Sequence, residues 1–145
     1  MRRRALLLSV ALCLASSGCN RARKVQECSA FIDRVNGALR KIERNTQIEA
    51  QDDSAAVAEM RRLADQYDIL AHDVGTLKIS SRVLRVHAIE YRRMANSAAS
   101  AARQVAEAVE SKNIQEATEA QNAFDQIVKQ EDQLVARIND FCQKS

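Results

Sequence analysis

Apolar residues recur at alternating spacings of three and four in four separate stretches of the chain. The series in the first stretch runs through Val25, Cys28, Ile32, Val35, Leu39 and Ile42. This spacing places apolar side chains on one face of an α-helix and is typical of helices that pack together as in a coiled coil. The pattern predicts helices near residues 25–47, 54–75, 81–110 and 114–143. No stretch alternates as a half-buried strand does.

Residues that favour helix ends fill the breaks between these stretches. They are Asp52, Asp53 and Ser54 before the second helix, Gly75 and Thr76 after it, Ser80 or Ser81 before the third, and Asn113 before the fourth. Short connections make neighbouring helices antiparallel. The sequence therefore predicts an all-α fold, an antiparallel up-down-up-down four-helix bundle.

The composition agrees with long helices. The 145 residues include three Gly, no Pro and no Trp, and only 3% are aromatic. Such a composition excludes collagen-like, Pro-rich disordered and turn-rich all-β chains.

The first nineteen residues have the features of an export signal. Three arginines are followed by an apolar run over residues 5–15, which is too short to span a membrane. The run ends in Ser16-Ser17-Gly18-Cys19, which resembles the lipobox of bacterial lipoproteins, although Ser16 stands where that family most often has Leu. The resemblance implies that residues 1–18 are removed and that Cys19 carries the lipid, palmitate included.

The resemblance also implies a domain organisation and a location. Residues 19–24 would form the lipid anchor and a short linker, and residues 25–145 the four-helix bundle. The protein would face the periplasm from a bacterial envelope membrane. Asn20 follows the cysteine, and in Gram-negative lipoproteins the absence of Asp there favours the outer membrane over the inner one.

Two cysteines remain once the leader and the lipidated residue are set aside. Cys28 and Cys142 lie near opposite ends of the mature chain, and an even pair in an exported protein predicts a disulfide. An up-down-up-down order would bring these two positions together. A metal site is the alternative, but it needs three or four ligands and the chain has only two histidines. We expect no metal and no cofactor.

Charge excludes one class of partner and divides the chain into segments. The three arginines of the leader account for the whole net charge of +3, so the mature chain is neutral. Nucleic-acid binding normally needs a basic excess, and we expect none here. Residues 21–45 and 78–103 are net basic, whereas 49–73 and 107–140 are net acidic. This alternation favours packing between helices of opposite charge.

Two titratable residues lie on predicted apolar faces. His87 falls in the series of the third helix and Glu131 in that of the fourth, and pairing the helices brings Tyr91 and Tyr67 to the same level. These four residues form a candidate buried polar layer that fixes helix register. Two alternatives stay open: a small-ligand site within the bundle, or a rotated series that exposes both His87 and Glu131.

The outer side of the third helix carries a second candidate site. Its exposed residues form a candidate interaction stripe: Arg82, Arg85, Ile89, Arg92 and Arg93. An apolar side chain among arginines suits an anionic envelope component or an acidic envelope protein, and an ordinary solvated surface is the alternative.

Catalytic motifs are missing from the sequence. There is no Gly-rich phosphate loop, nucleophile elbow, His-Glu-x-x-His or haem-attachment motif, and we expect no enzymatic activity and no catalytic residue. The leading hypothesis is a lipid-anchored envelope protein with a non-enzymatic structural or protein-interaction role. The alternative is a periplasmic binding module, either chaperone-like or sensing a small ligand.

Overall fold

Four helices make up the described part of the chain. The computed structural model describes the backbone of residues 13–46 and 52–144, and the side chains of residues 20–45 and 52–144. The helices are α1 (Cys13–Thr46), α2 (Asp53–Gly75), α3 (Arg82–Glu110) and α4 (Ile114–Gln143). Those ranges contain no β-strand. The prediction of an all-helical chain with four helices is confirmed, and α2, α3 and α4 begin and end within one residue of the predicted bounds.

Helix α1 is longer than the apolar pattern predicts. It begins at Cys13 instead of near residue 25, so the segment 19–24 that was expected to serve as a linker is helical. The physical reason is local, because residues 19–25 contain no Gly or Pro and include Ala, Lys and two Arg, which are good helix formers. Residues 1–12 of the leader lie outside the described residues.

Polar side chains cap the N-termini of the other three helices. The Asp52 carboxylate accepts a hydrogen bond from the backbone N–H of Ala55 at 2.8 Å, which satisfies one of the unpaired donors of the first turn. Ser81 does the same for α3 and Asn113 for α4, each accepting from the N–H three residues further along. These caps explain why the predicted starts of α2, α3 and α4 are accurate.

Helix α3 ends in a left-handed turn made without glycine. Lys112 has a φ of 58°, and the N–H of Asn113 donates to the carbonyl of Ala108 at 2.9 Å. This is the hydrogen-bond pattern of a Schellman cap, whose left-handed position glycine usually occupies. The lysine therefore holds a backbone conformation that its Cβ disfavours.

The core lies among all four helices. The buried cluster includes Cys28, Phe31 and Val35 of α1, Leu63 and Leu70 of α2, Leu84 and Met94 of α3, and Leu134 and Ile138 of α4. The second half of α3 contributes mostly alanine, and Ala95, Ala98, Ala99, Ala102 and Ala106 are completely buried. These small side chains let α3 pack closely against its neighbours instead of lining an open groove.

The buried faces of α1 and α3 are rotated slightly from the predicted series. Val25 is 59% exposed. Phe31 is buried, whereas Ile32 of the predicted series is only partly buried, and the Phe31 ring packs edge-on against that of Tyr91. In α3 the inward residue between Leu84 and Tyr91 is Ala88. Burial of the large Phe31 ring favours the rotation of α1, because a larger apolar side chain gains more free energy on leaving water.

Ion pairs connect neighbouring helices across their exposed edges. They are Arg34 with Asp73 between α1 and α2, Arg61 with Glu110 and Arg103 with Asp65 and Asp68 between α2 and α3, and Arg137 with Glu90 between α4 and α3. All are substantially exposed, so each contributes about 0–1 kcal/mol. The pairs of Arg34 and Arg103 follow the segmental charge pattern. The pairs of Arg61 and Arg137 do not, because in each of them an acidic segment supplies the arginine.

Candidate functional site

A polar layer crosses the core between α2, α3 and α4. It is formed by Tyr67, Tyr91 and Glu131, which are 4%, 0% and 9% exposed. The Tyr91 hydroxyl donates a hydrogen bond to Oε1 of Glu131. The Tyr67 ring packs edge-on against Phe124, with 5.9 Å between ring centroids. The structure therefore brings together three of the four residues that the sequence analysis assigned to this layer.

The layer changes the acidity of each of its members. Burial raises the pKa of the Glu131 carboxyl above its ordinary value of 4.5, and the hydrogen bond from Tyr91 offsets only part of this. Burial and then the charge of Glu131 raise the pKa of Tyr67 to about 12. The same two causes, with the hydrogen bond, raise the pKa of Tyr91 as well. Both phenols therefore stay protonated at neutral pH, so Tyr91 can act as a hydrogen-bond donor to the carboxyl.

His87 lies outside this layer. Its Nδ1 atom is 3.5 Å from Oε2 of Glu90, and its ring centroid is 6.3 Å from that of Phe141. Because Ala88 takes the inward position on this turn of α3, His87 is rotated to the edge of the core and away from Glu131. The grouping of His87 with Glu131 is thus corrected by the rotation of α3.

The Cys28 and Cys142 side chains form a disulfide. The S–S distance is 2.06 Å and the two Cα atoms are 5.8 Å apart, which confirms the predicted bond. Lys24 reinforces the same junction, because its Nζ lies 4.3 Å from the centroid of the Phe141 ring and also donates to the Lys144 carbonyl. The first half of α1 is therefore fastened to the end of α4.

Glu27 forms a second fastening that the sequence analysis missed. Its carboxylate accepts hydrogen bonds from the Ser80 hydroxyl, from the Ser80 N–H at 2.9 Å and from the Ser81 N–H at 3.0 Å. Burial alone would raise the pKa of Glu27, but these hydrogen bonds outweigh it and lower the pKa. Glu27 thereby ties α1 to the connection between α2 and α3. The only signal in the sequence is an acid one residue before Cys28, and such a position does not reveal its partner.

An exposed face of α3 combines basic and apolar side chains. We call it the basic–apolar face, and its members are Arg82, Val83, Arg85, Val86, Ile89, Arg92 and Arg93. It includes every residue of the predicted interaction stripe, all exposed, and adds two valines. Val83 and Val86 are each 49% exposed and Ile89 is 43% exposed. The two valines were not predicted, because only Ile89 lies directly opposite the apolar series of the third helix.

Grooves open on other parts of the surface. A groove of about 580 Å³ lies between α1 and α2, with Ala30, Gly37 and Ile69 among its lining residues and charged side chains at its edges. Gln66 also contributes to the lining, and its Oε1 atom is buried without a hydrogen-bond partner among the described residues. A second groove, of about 680 Å³, lies at the connection between α3 and α4 beside Ile114. Neither groove is lined by Tyr67, Tyr91 or Glu131.

At the predicted lipidation site, the structure describes only the backbone. Cys19 lies within α1, and its side chain is outside the described part of the chain. Across residues 13–46 and 52–144, none of the helices combines the length and apolarity that a bilayer span requires. Within the same ranges, no three side chains of His, Cys, Asp or Glu converge as metal ligands.

Comparison with known proteins does not assign the chain to a family. The chain matches no protein-family model, no curated protein and no solved structure.

Proposed function

We propose that this chain is a lipid-anchored protein of the bacterial envelope with a non-enzymatic structural or protein-interaction role. The observation that carries the proposal is the Cys28–Cys142 disulfide, because such bonds persist in oxidising compartments outside the cytoplasm. The export leader and the Ser16–Cys19 segment that resembles a lipobox give the same location. Outer-membrane attachment is favoured by Asn20.

We further propose that the four helices form an antiparallel up-down-up-down bundle. Arg61 near the start of α2 contacts Glu110 at the end of α3, whereas Gly75 at the end of α2 lies against Arg92 in the first half of α3. Contacts that run in opposite directions along two helices support antiparallel packing. The disulfide supports the same order, because it joins the first half of α1 to the end of α4.

The anchor would hold the disulfide end of the domain close to the bilayer. Cys19 and Cys28 are nine residues apart on one continuous helix. At 1.5 Å per residue this separation corresponds to about 14 Å. The α2–α3 connection, which Glu27 binds, would lie at the same membrane-proximal end, and the α3–α4 connection would be distal.

The polar layer supports a structural role over a catalytic one. A general base must reach its substrate, whereas the Glu131 carboxylate is buried and faces the Tyr91 hydroxyl. A buried polar group that is satisfied within the core favours one helix register over others. The layer thus fits a protein that presents surfaces to partners, such as an envelope protein or an anionic envelope component.

Metabolic labelling with a palmitate analogue tests the anchor. The Cys19→Ala variant should lose the label and leave the membrane fraction, whereas the wild type should keep both. The matched control is Cys13→Ala, which removes another cysteine of the leader region and should leave labelling unchanged. A label that persists in Cys19→Ala would reject the anchor.

A periplasmic binding module is the second candidate, and the α1–α2 groove favours it. A Cβ placed on Gly37 would meet no atom within 4 Å, so the groove has room for an occupant. Crosslinking in intact envelopes should capture a partner that Gly37→Phe excludes and that the matched control Gly37→Ala retains. Equal capture by both variants would remove the groove from consideration.

A further inference from the structure

We propose that the basic–apolar face of α3 rests on the surface of an anionic phospholipid membrane. This deepens the proposed function by naming the partner of that face. Because the face can be tested without the lipid on Cys19, the two proposals can fail separately.

The apolar part of the face is concentrated. Val83, Val86 and Ile89 fall within seven residues of one helix and are each between 43% and 49% exposed. Among the side chains that the structure describes, the other large exposed apolar residues are Val25, Ile69 and Ile114, which lie on other helices. Scattered exposed apolar residues are ordinary, but three β-branched ones on two adjacent turns mark a surface that gains from leaving water.

The basic part of the face lacks acidic partners. Among the described residues no carboxylate lies within ion-pair distance of Arg82, Arg85, Arg92 or Arg93. The Arg85 guanidinium instead donates to the Ser80 carbonyl at 2.9 Å.

Glu90 is the one acid within the segment of α3 that forms the face. Arg137 of α4 binds Oε2 of its carboxylate at 3.3 Å, and Nδ1 of His87 lies 3.5 Å from the same oxygen. No carboxylate of the described residues therefore neutralises the positive charge of the four guanidinium groups.

Basic residues of α1 meet the same end of α3. Arg23 and Lys24 line a shallow groove together with Glu27, Ser80 and Ser81, directly before the start of α3. The Glu27 carboxylate is hydrogen-bonded to Ser80 and Ser81 and offsets part of the charge of Arg23. Two basic side chains of α1 therefore lie beside the start of α3.

This combination fits a lipid surface better than a sugar polymer. Anionic headgroups pair with arginine, and the region just below them accepts valine and isoleucine side chains, as in interfacial amphipathic helices. An anionic polysaccharide would bind the arginines but would leave the apolar side chains in water. Because α3 is already folded into the core, binding needs no new helix formation.

Vesicle binding of the processed chain, residues 19–145 carrying Cys19→Ala, tests the face without the lipid and without the basic and apolar leader. This chain should bind vesicles of mixed phosphatidylglycerol and phosphatidylcholine and bind phosphatidylcholine alone much more weakly. Adding Arg82→Gln, Arg85→Gln and Arg93→Gln should lower the partition coefficient on anionic vesicles about 100-fold, since each arginine near such a surface contributes about fivefold. Raising the salt from about 0.1 M to about 1 M should weaken wild-type binding in the same direction, because it shortens the screening length.

A matched variant separates the face from net charge. Arg40→Gln, Arg44→Gln and Arg62→Gln remove the same number of exposed arginines from α1 and α2, and binding should change only a few-fold. Equal losses for the two triple variants would overturn the proposal. Face-dependent retention on anionic polysaccharide with no vesicle binding would also overturn it.

A tryptophan reporter tests insertion of the apolar side chains. The chain has no Trp, so Ile89→Trp gives a single fluorescent site. Its emission should shift to the blue on anionic vesicles, whereas Ile114→Trp, at an 82% exposed position on α4, should not shift. An unshifted Trp at position 89 would overturn the proposal. If Cys19 is lipidated but the vesicles are not bound, the anchor is supported and the membrane-binding face is rejected. If the vesicles are bound but Cys19 carries no lipid, only the anchor is rejected.

Discussion

Replacing Tyr91 with Phe removes one hydroxyl from the centre of the core and leaves the ring contact with Phe31 in place. Tyr91 is fully buried and Glu131 is 9% exposed, so water cannot replace the lost donor fully. A hydrogen bond to a charged group contributes about 1.5–3 kcal/mol. We therefore expect the free energy of unfolding to fall by about 1.5–3 kcal/mol at a pH where Glu131 is ionised.

The cost of Tyr91→Phe should depend on pH. The pKa of Glu131 is raised in the folded chain, so the folded state holds this proton more tightly than the unfolded state does. The resulting stabilisation is complete below pH 4.5, the ordinary value, and is lost as the pH rises through the folded pKa. Because Tyr91 donates to the ionised carboxyl, Tyr91→Phe should raise this pKa further. The variant should therefore lose less stability below pH 4.5 than at neutral pH.

Urea unfolding followed by circular dichroism, under non-reducing conditions, measures these differences. Glu131→Leu should be neutral or stabilising by about 1–4 kcal/mol. Tyr91→Phe should cost little in that background, since no buried acceptor remains. Tyr67→Phe is the matched control, because no hydrogen bond joins its phenol to Glu131 among those of the described residues. A coupling energy between Tyr91 and Glu131 below about 0.5 kcal/mol would refute the reasoning. A loss of stability in Tyr91→Phe that does not change with pH would refute it as well.

Three further changes test the ends of the helices and their fastenings. Cys28→Ser opens a loop that spans 114 residues, so the free energy of unfolding should fall by about 4–5 kcal/mol. The helix content should change little. Equal melting temperatures of the oxidised and the reduced wild type would contradict this prediction. Lys112→Gly should stabilise the chain by about 1 kcal/mol in urea unfolding, because glycine accepts a positive φ without strain, and a destabilised variant would argue against the left-handed cap. Glu27→Ala should cost about 1–3 kcal/mol by the same measurement, owing to the lost hydrogen bonds to Ser80. Because the pKa of Glu27 is lowered in the folded chain, its contribution to stability is present above pH 4.5 and should disappear as the pH falls through the folded pKa. If Glu27→Ala still lowers the free energy of unfolding in acid, the loss comes from packing instead.

Local signals explain why most of the helix bounds could be predicted. Asp52, Ser81 and Asn113 each cap a helix through a hydrogen bond to a residue three positions away. Because both partners lie within one short segment, such caps can be predicted from the sequence. The disulfide was also predictable, since the helix order and the two remaining cysteines restrict the pairing. The start of α1 was not, because the favoured capping residues Ser16, Ser17 and Asn20 lie inside the helix and do not begin it.

The candidate sites depended on rotations that the sequence does not specify. Glu131 and Tyr91 lie on the buried face because apolar neighbours at three- and four-residue spacing flank them. His87 and Ala88 are adjacent, and the apolar spacing within α3 does not decide which of them faces inward; in the structure Ala88 is the buried one. The partner of Glu27 was hidden for a similar reason, because it lies 53 residues away on the α2–α3 connection.

The position of the disulfide determines how the domain meets a mechanical load. A pull applied at Cys19 travels along a continuous helix and reaches the covalent bond at Cys28 within three turns. There the tension divides between the first helix and the last, so α1 cannot be peeled from the domain beyond that residue while the sulfurs stay joined. Core packing distal to the bond is shielded from the pull. Reduction of the Cys28–Cys142 bond would remove this sharing of the load, and α1 could then separate from its neighbouring helices turn by turn.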